Sequence, residues 1–178
     1  MEREENLSFE DADDAWIFDD AVSAGNARVD KDAQLRDRAV VRDGAYVSYG
    51  AVLSGHVVAE DAAYVRGAVM RDRARVSGNG MILNDGNPGD LSPVLYGDCS
   101  VYGKVRGNIR IGGNILILSG EDYRNDSRDT FVIDERGRSV LRDPSRDALA
   151  PTPPEDERDG ETPETPVKPV RKRRGRSR

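Results

Sequence analysis

The sequence predicts an all-β fold in which the chain winds into a parallel β-solenoid. Alanine recurs every six residues without a break from Ala15 to Ala51. The residue two positions after each alanine is aliphatic in six of the seven units, and Ser23 is the exception. The last three positions of each six-residue unit are mostly polar residues or glycine. A period of six fits no helix of 3.6 residues per turn, but it suits a short strand followed by a corner.

Strand geometry assigns a role to each position of the unit. The first and third residues of a strand point to one side and the second points to the other. The alanine and the aliphatic residue should therefore face the core, while the residue between them faces outward. Polar residues and glycine suit the turn that follows. Successive coils should stack about 4.7–4.9 Å apart, because their backbone hydrogen bonds run from coil to coil.

The elements follow in order along the chain. The predicted segments are a lead-in or cap at 1–14, the solenoid at 15–118 with a loop insertion at 84–93, a hairpin cap at 119–143, and a disordered tail at 144–178. One unit is five residues long and starts at Ala62 or Ala63, which predicts a tightened corner. The hairpin is expected to turn at 135–138 and to protect an open sheet edge.

The composition agrees with a solenoid and indicates the cellular location of the protein. Charged residues make up 34% and aromatic residues 6% of the chain, which is typical of a thin core column. No apolar run is long enough for a membrane span, and the acidic N-terminus does not resemble a signal peptide. The single cysteine, Cys99, excludes an internal disulfide and occupies an alanine position, so it should be a small buried filler. We therefore expect a cytoplasmic protein.

The start of the chain carries a family likeness. Residues 5–8 (ENLS), 15–21 (AWIFDDA) and 25–29 (GNARV) resemble the YdcK-like hexapeptide-repeat proteins of bacteria and phages. The likeness covers about residues 4 to 118 and implies a single-stranded left-handed parallel β-helix with three six-residue units per coil. Two features depart from the family pattern. Members usually have a segment before the ENLS lead-in, whereas this sequence begins almost at the lead-in, and the basic tail is not part of the pattern.

The resemblance also implies a possible activity. Members of the family are labelled as acetyltransferases, and hexapeptide acyltransferases use a histidine base in a cleft between the subunits of a trimer. The chain has one histidine, His56, at the corner that ends residues 51–56. An imidazole titrates near neutral pH and can act as a general base. Other units carry a variety of polar residues at this corner, so the sequence favours the interpretation of His56 as a solvated corner residue.

The outward positions predict an interaction surface. With three units per coil, Val22, Val40 and Val58 should stack on one face, followed by Arg75. A second face should show Trp16, Gln34, Val52 and Val69, and the third Arg28, Tyr46 and Tyr64. Outward valines suit strands in general, but a stripe three coils tall also suits self-association, with a homotrimer as the form that the resemblance favours.

The remaining charges give two further expectations. Seven basic residues close the chain: Lys168, Arg171, Lys172, Arg173, Arg174, Arg176 and Arg178. Without these seven charges, the net charge of −6 becomes −13 for residues 1–167. The tail is therefore a candidate for an anionic partner, including non-specific nucleic-acid association. The Arg-Asp-Arg corners at 36–38 and 71–73 are interpreted as exposed charge that favours solubility. No metal site is predicted.

These observations leave three functions open. The sequence favours a non-catalytic, self-associating β-helix scaffold without a cofactor. The first alternative is an acyltransferase that uses an acetyl-CoA-type donor with His56 as its base. The second is nucleic-acid association through the tail.

Overall fold

The computed structural model describes residues 4–8, 13–84 and 91–145. These residues form a parallel β-solenoid of six coils with three faces, and they include the 3₁₀ helix η1 (Glu4–Asn6) but no α-helix. The predicted all-β fold is confirmed. No helix in the described ranges has the length and apolar character needed to cross a membrane.

Each coil contributes one strand to each face, and the strands are numbered along the chain. Face 1 contains β1 (Trp16–Ile17), β4 (Gln34–Leu35), β7 (Val52–Leu53), β10 (Val69–Met70), β13 (Val94–Leu95), β16 (Ile109–Ile111), β19 (Thr130–Asp134) and β20 (Gly137–Leu141). Face 2 contains β2 (Val22–Ser23), β5 (Val40–Val41), β8 (Val58–Ala59), β11 (Arg75–Val76), β14 (Ser100–Val101) and β17 (Leu116–Ile117). Face 3 contains β3 (Arg28–Val29), β6 (Tyr46–Ser48), β9 (Tyr64–Arg66), β12 (Met81–Leu83), β15 (Lys104–Gly107) and β18 (Asp122–Asn125).

The core is a single column inside the coils. The alanines of the repeat and the aliphatic residues two positions later are buried, with Leu35, Val41 and Val47 fully inaccessible. Ser23 takes an aliphatic position in the first coil, and its buried hydroxyl has no hydrogen-bond partner among the described residues. Alanine suits the position next to each corner because the chain turns there and leaves little room.

The short unit begins at Ala63. Ala63 is buried, whereas Ala62 is exposed. The next inward alanine, Ala68, follows five residues later, and Gly67 closes the corner between them at a φ of 55°. The chain leaves the coils after β12 and returns at β13. Residues 85–90 of the predicted insertion lie outside the described residues.

The corner between faces 1 and 2 requires left-handed backbone. Asp37 and Asp72 adopt φ values of 59° and 61°, and Gly55 at the same corner between them has a φ of 80°. Aspartate tolerates this conformation because its short side chain bonds locally. The Asp37 carboxylate accepts a hydrogen bond from the Gly55 amide of the next coil at 2.7 Å. Asp72 accepts one from the Gly97 amide at 2.9 Å. These aspartates therefore join one coil to the next.

The two ends of the solenoid are built differently. At the start, Leu7 pairs with Val29 of β3, and the buried Asn6 amide donates to the Ala27 carbonyl at 2.7 Å. At the other end, the coils continue past residue 118, because β18 pairs in parallel with β15. The predicted hairpin follows, with β19 stacked on β16 and β20 antiparallel to β19. Residues 146–178, which include the basic tail, lie outside the described residues.

Candidate functional site

Face 2 carries the predicted valine stripe. Val22 pairs with Val40, and Val40 pairs with Val58, so the three side chains lie one above the other on the outside. Val22 is 38% exposed, and Val40 and Val58 are half-buried by their neighbours. The predicted register is therefore confirmed. A partner that covered this stripe would remove apolar valine surface from water, which is favourable.

A buried carboxylate ends the stripe. Arg75 follows Val58 on face 2 and turns towards Glu60, whose side chain is only 6% exposed. Glu60 accepts hydrogen bonds from Arg75 and from Arg42, with 2.9 Å between its Oε2 and the Arg42 Nε. Glu60 thus binds arginines from the coils before and after its own, and we call these three residues the Glu60 clamp. Sequence reasoning missed it because the three residues are far apart in the repeat.

The two arginines stabilise the ionised form of Glu60. Burial raises the pKa of Glu60, but the hydrogen bonds from Arg42 and Arg75 lower it by more, so the pKa lies below its ordinary value. The carboxylate is consequently ionised at neutral pH. The two arginines therefore supply the opposite charge that a carboxylate with little access to water requires.

His56 lies at the corner between faces 1 and 2. Its side chain is exposed, and its backbone amide donates to the Asp72 carbonyl at 2.6 Å. Arg38 and Arg73 make the equivalent backbone bond in the adjacent coils, so they flank His56. No described residue hydrogen-bonds to the imidazole, and no carboxylate orients it as in a typical catalytic pair. His56 is two residues before Val58, at the rim of face 2.

Face 3 carries a polar cleft of about 580 Å³ beside Tyr46. The Tyr46 hydroxyl donates to the carboxylate of the buried Asp30, with O–O distances of 2.8 and 2.9 Å. The Arg28 Nε lies 3.2 Å from the same carboxylate. Burial and this hydrogen bond raise the pKa of Tyr46. The Tyr46 ring stacks on Tyr64 with 5.1 Å between centroids, as the predicted face 3 register requires. The Asp30 carboxylate is therefore the shared partner of Tyr46 and Arg28.

The other candidates are accounted for within the described residues. Cys99 is fully buried in the core, and burial raises the pKa of its thiol to about 11, so it is the predicted filler. The described residues contain no group of three His, Cys, Asp or Glu that could hold a metal ion. The predicted tail residues Lys168, Arg171, Lys172, Arg173, Arg174, Arg176 and Arg178 lie outside the described residues.

Comparison with known proteins adds no assignment. No protein-family model matches the chain, and neither the curated proteins nor the solved structures give a significant match. The likeness to the YdcK-like proteins therefore stays an expectation from the sequence.

Proposed function

We propose that this protein is a non-catalytic β-helix scaffold that associates with itself through face 2. The observation that carries the proposal is the register of Val22, Val40 and Val58, which places three outward valines in one column. The coils form a rigid support, since each is hydrogen-bonded to the next along all three faces. A trimer is the form that the family likeness suggests, and a cyclic trimer needs a surface of this kind on every subunit.

The size of the stripe defines what the interface must contain. Three coils span two coil spacings, which is about 10 Å. Complete burial of a valine contributes about 1.5–3 kcal/mol, and these valines are already partly covered. A stable interface buries about 800 Å² on each partner, so side chains beside the stripe must also take part. We therefore propose the valines as the centre of the interface and not its full extent.

The test is the molar mass of two matched variants of the full chain, measured by light scattering after gel filtration. Val40→Asp places a charge at the centre of the stripe and should convert the oligomer to monomer. Gln34→Asp places the same residue at an outward position of face 1 that is already polar, and it should leave the oligomer intact. Circular dichroism of both variants should match the wild type, because both positions face outward. Equal masses for the two variants would count against face 2 as the interface.

The alternative function is a hexapeptide acyltransferase with His56 as general base. One observation favours it, because His56 lies at the rim of face 2 and a trimer built on this face would bring it near a second subunit. Acetyl-CoA should then bind to the wild-type oligomer, and His56→Ala should reduce acyl transfer while binding is retained. Absence of acetyl-CoA binding to the intact oligomer would exclude this alternative.

The second alternative is non-specific nucleic-acid association through the basic tail. Removal of residues 165–178 should abolish a salt-sensitive binding of this kind. We also propose membership of the YdcK-like proteins and a cytoplasmic location. The location is supported by the single, buried Cys99, which suits a reducing compartment.

A further inference from the structure

A second cleft lies on face 1 near the end of the solenoid, and three arginines are among the residues that line it. The cleft has a volume of about 490 Å³ and is lined by Arg110, Arg128 and Arg142. The three side chains come from separate elements. Arg110 is the outward residue of β16, Arg128 lies in the loop between β18 and β19, and Arg142 follows β20. The site therefore exists only after the hairpin has folded onto the last coil.

Side-chain hydrogen bonds hold these elements together. The Asn108 side chain donates from Nδ2 to the Arg128 carbonyl at 2.9 Å, and its Oδ1 accepts from the Thr130 hydroxyl at 3.1 Å. The Asp143 amide donates to Asp129 at 3.0 Å, which fixes the chain immediately after Arg142. The polar side chains of Asn108, Thr130 and Asp129 are thus used to build the loop, while Arg110, Arg128 and Arg142 are exposed.

The charges of the three arginines are not balanced within the cleft. None of the three guanidinium groups makes a hydrogen bond or ion pair with a described residue. Asp143 is the one carboxylate among the described lining residues, and it accepts bonds from the Ser145 amide and hydroxyl at 2.9 and 2.7 Å. Arginines nearby are paired instead, as Arg106 is with Asp122. Three unpaired cations in one concave site on an acidic protein favour an anionic ligand.

We propose that this arginine cleft binds the phosphate group of a small phosphorylated molecule. A phosphate offers three terminal oxygens and up to two negative charges, which suits planar, multiply donating guanidinium groups better than a single carboxylate does. The rest of the ligand would lie on the apolar part of the lining, formed by Leu91, Val94 and Pro144. The volume falls within the range of about 300–1,000 Å³ that is usual for small-molecule sites.

The probe is phenyl phosphate, which joins one phosphate to an apolar ring, titrated into the full chain by calorimetry at low salt. We expect saturable binding of one molecule per chain, tighter than that of inorganic phosphate. Arg110→Gln and Arg142→Gln should each weaken binding by about tenfold or more, since each removes a charge-assisted contact. Arg38→Gln is the matched control, because Arg38 is an exposed arginine in the second coil, three coils before β13, and its loss should change the affinity less than about twofold.

The pattern across the variants decides the outcome. Circular dichroism should first show that all three variants fold like the wild type. Absence of saturable binding would overturn the proposal, as would equal weakening by all three substitutions. Binding that persists unchanged in Arg110→Gln and Arg142→Gln would place the phosphate elsewhere, for instance on the basic tail, and would equally overturn it.

Discussion

Replacing Glu60 with glutamine tests whether the Glu60 clamp joins neighbouring coils. The Glu60 side chain is 6% exposed and accepts hydrogen bonds from both arginines of the clamp. Glutamine has nearly the same shape, but it carries no charge and turns an NH₂ group towards a guanidinium group. The variant should therefore fold into the same coils with a lower free energy of unfolding.

The geometry sets the size of the loss. Hydrogen bonds to charged groups contribute about 1.5–3 kcal/mol, and the loss is smaller when the partners can turn to water. The side chains of Arg42 and Arg75 are 51% and 45% exposed, so both can be solvated in the variant. We expect a loss of about 1–2 kcal/mol. In urea denaturation followed by circular dichroism, the midpoint should fall by about 0.5–1 M.

The effect of Glu60→Gln should depend on pH. The pKa of Glu60 is lowered in the folded protein. The stability that its charge contributes is complete above the unfolded pKa of about 4.3 and is lost as the pH falls through the lower folded value. The difference between wild type and variant should therefore be largest near pH 7 and shrink towards pH 3. A difference of the same size at both pH values, or none at pH 7, would refute this explanation.

Asp43→Asn provides the control for this experiment. The Asp43 side chain is 57% exposed and lies 3.8 Å from the Arg42 Nε. Exposed pairs of this kind contribute little, and asparagine also tolerates the left-handed backbone at this position. The free energy of unfolding should change by less than about 0.5 kcal/mol.

Two further predictions concern the packing of the coils. Gly55→Ala should lower the free energy of unfolding by about 2–4 kcal/mol, because its new Cβ would lie 2.7 Å from the Asp72 carbonyl oxygen. Gly50→Ala has a similar φ but nothing within 4 Å of the new Cβ, so it should cost only about 1–2 kcal/mol, and equal losses in urea denaturation would contradict the proposed close contact. Cys99 should react slowly with a thiol reagent in the native protein and rapidly in urea, since its thiol is buried and has a raised pKa of about 11. Fast reaction in the native protein would show that the core opens readily.

The register could be predicted from two numbers, the period of six residues and the three units per coil that the family resemblance implies. Together they make a coil of 18 residues, so Val22, Val40 and Val58 were expected to share a face. The short unit left a choice between Ala62 and Ala63, since both alanines fit the pattern. Only the structure shows which one turns into the core.

The polar contacts could not be predicted because they depend on side-chain direction. The aspartates of the Arg-Asp-Arg corners looked like exposed charge, yet Asp37 and Asp72 accept hydrogen bonds from amides of the next coil. Glu60 lies 18 residues from Arg42 but 15 from Arg75, because the short unit removes one residue and Arg75 lies two residues before the position equivalent to Glu60. The repeat therefore gave no sign that the two arginines meet at one carboxylate.

The arginine cleft had no signal in the sequence at all. Arg110 belongs to a coil, Arg128 to an irregular loop and Arg142 to the end of the hairpin. No period relates these positions, so their proximity depends on how the hairpin stacks on β16. A site assembled across an irregular connection can be recognised only in the folded structure.

The most direct test of the proposed scaffold is the solution mass of the wild-type chain, measured by light scattering coupled to gel filtration over a range of concentrations. The valine stripe predicts an oligomer, and the trimer that we favour would have three times the chain mass of 19.6 kDa. A mass of one chain at every concentration would contradict self-association through face 2. It would also exclude an acyltransferase site built between subunits.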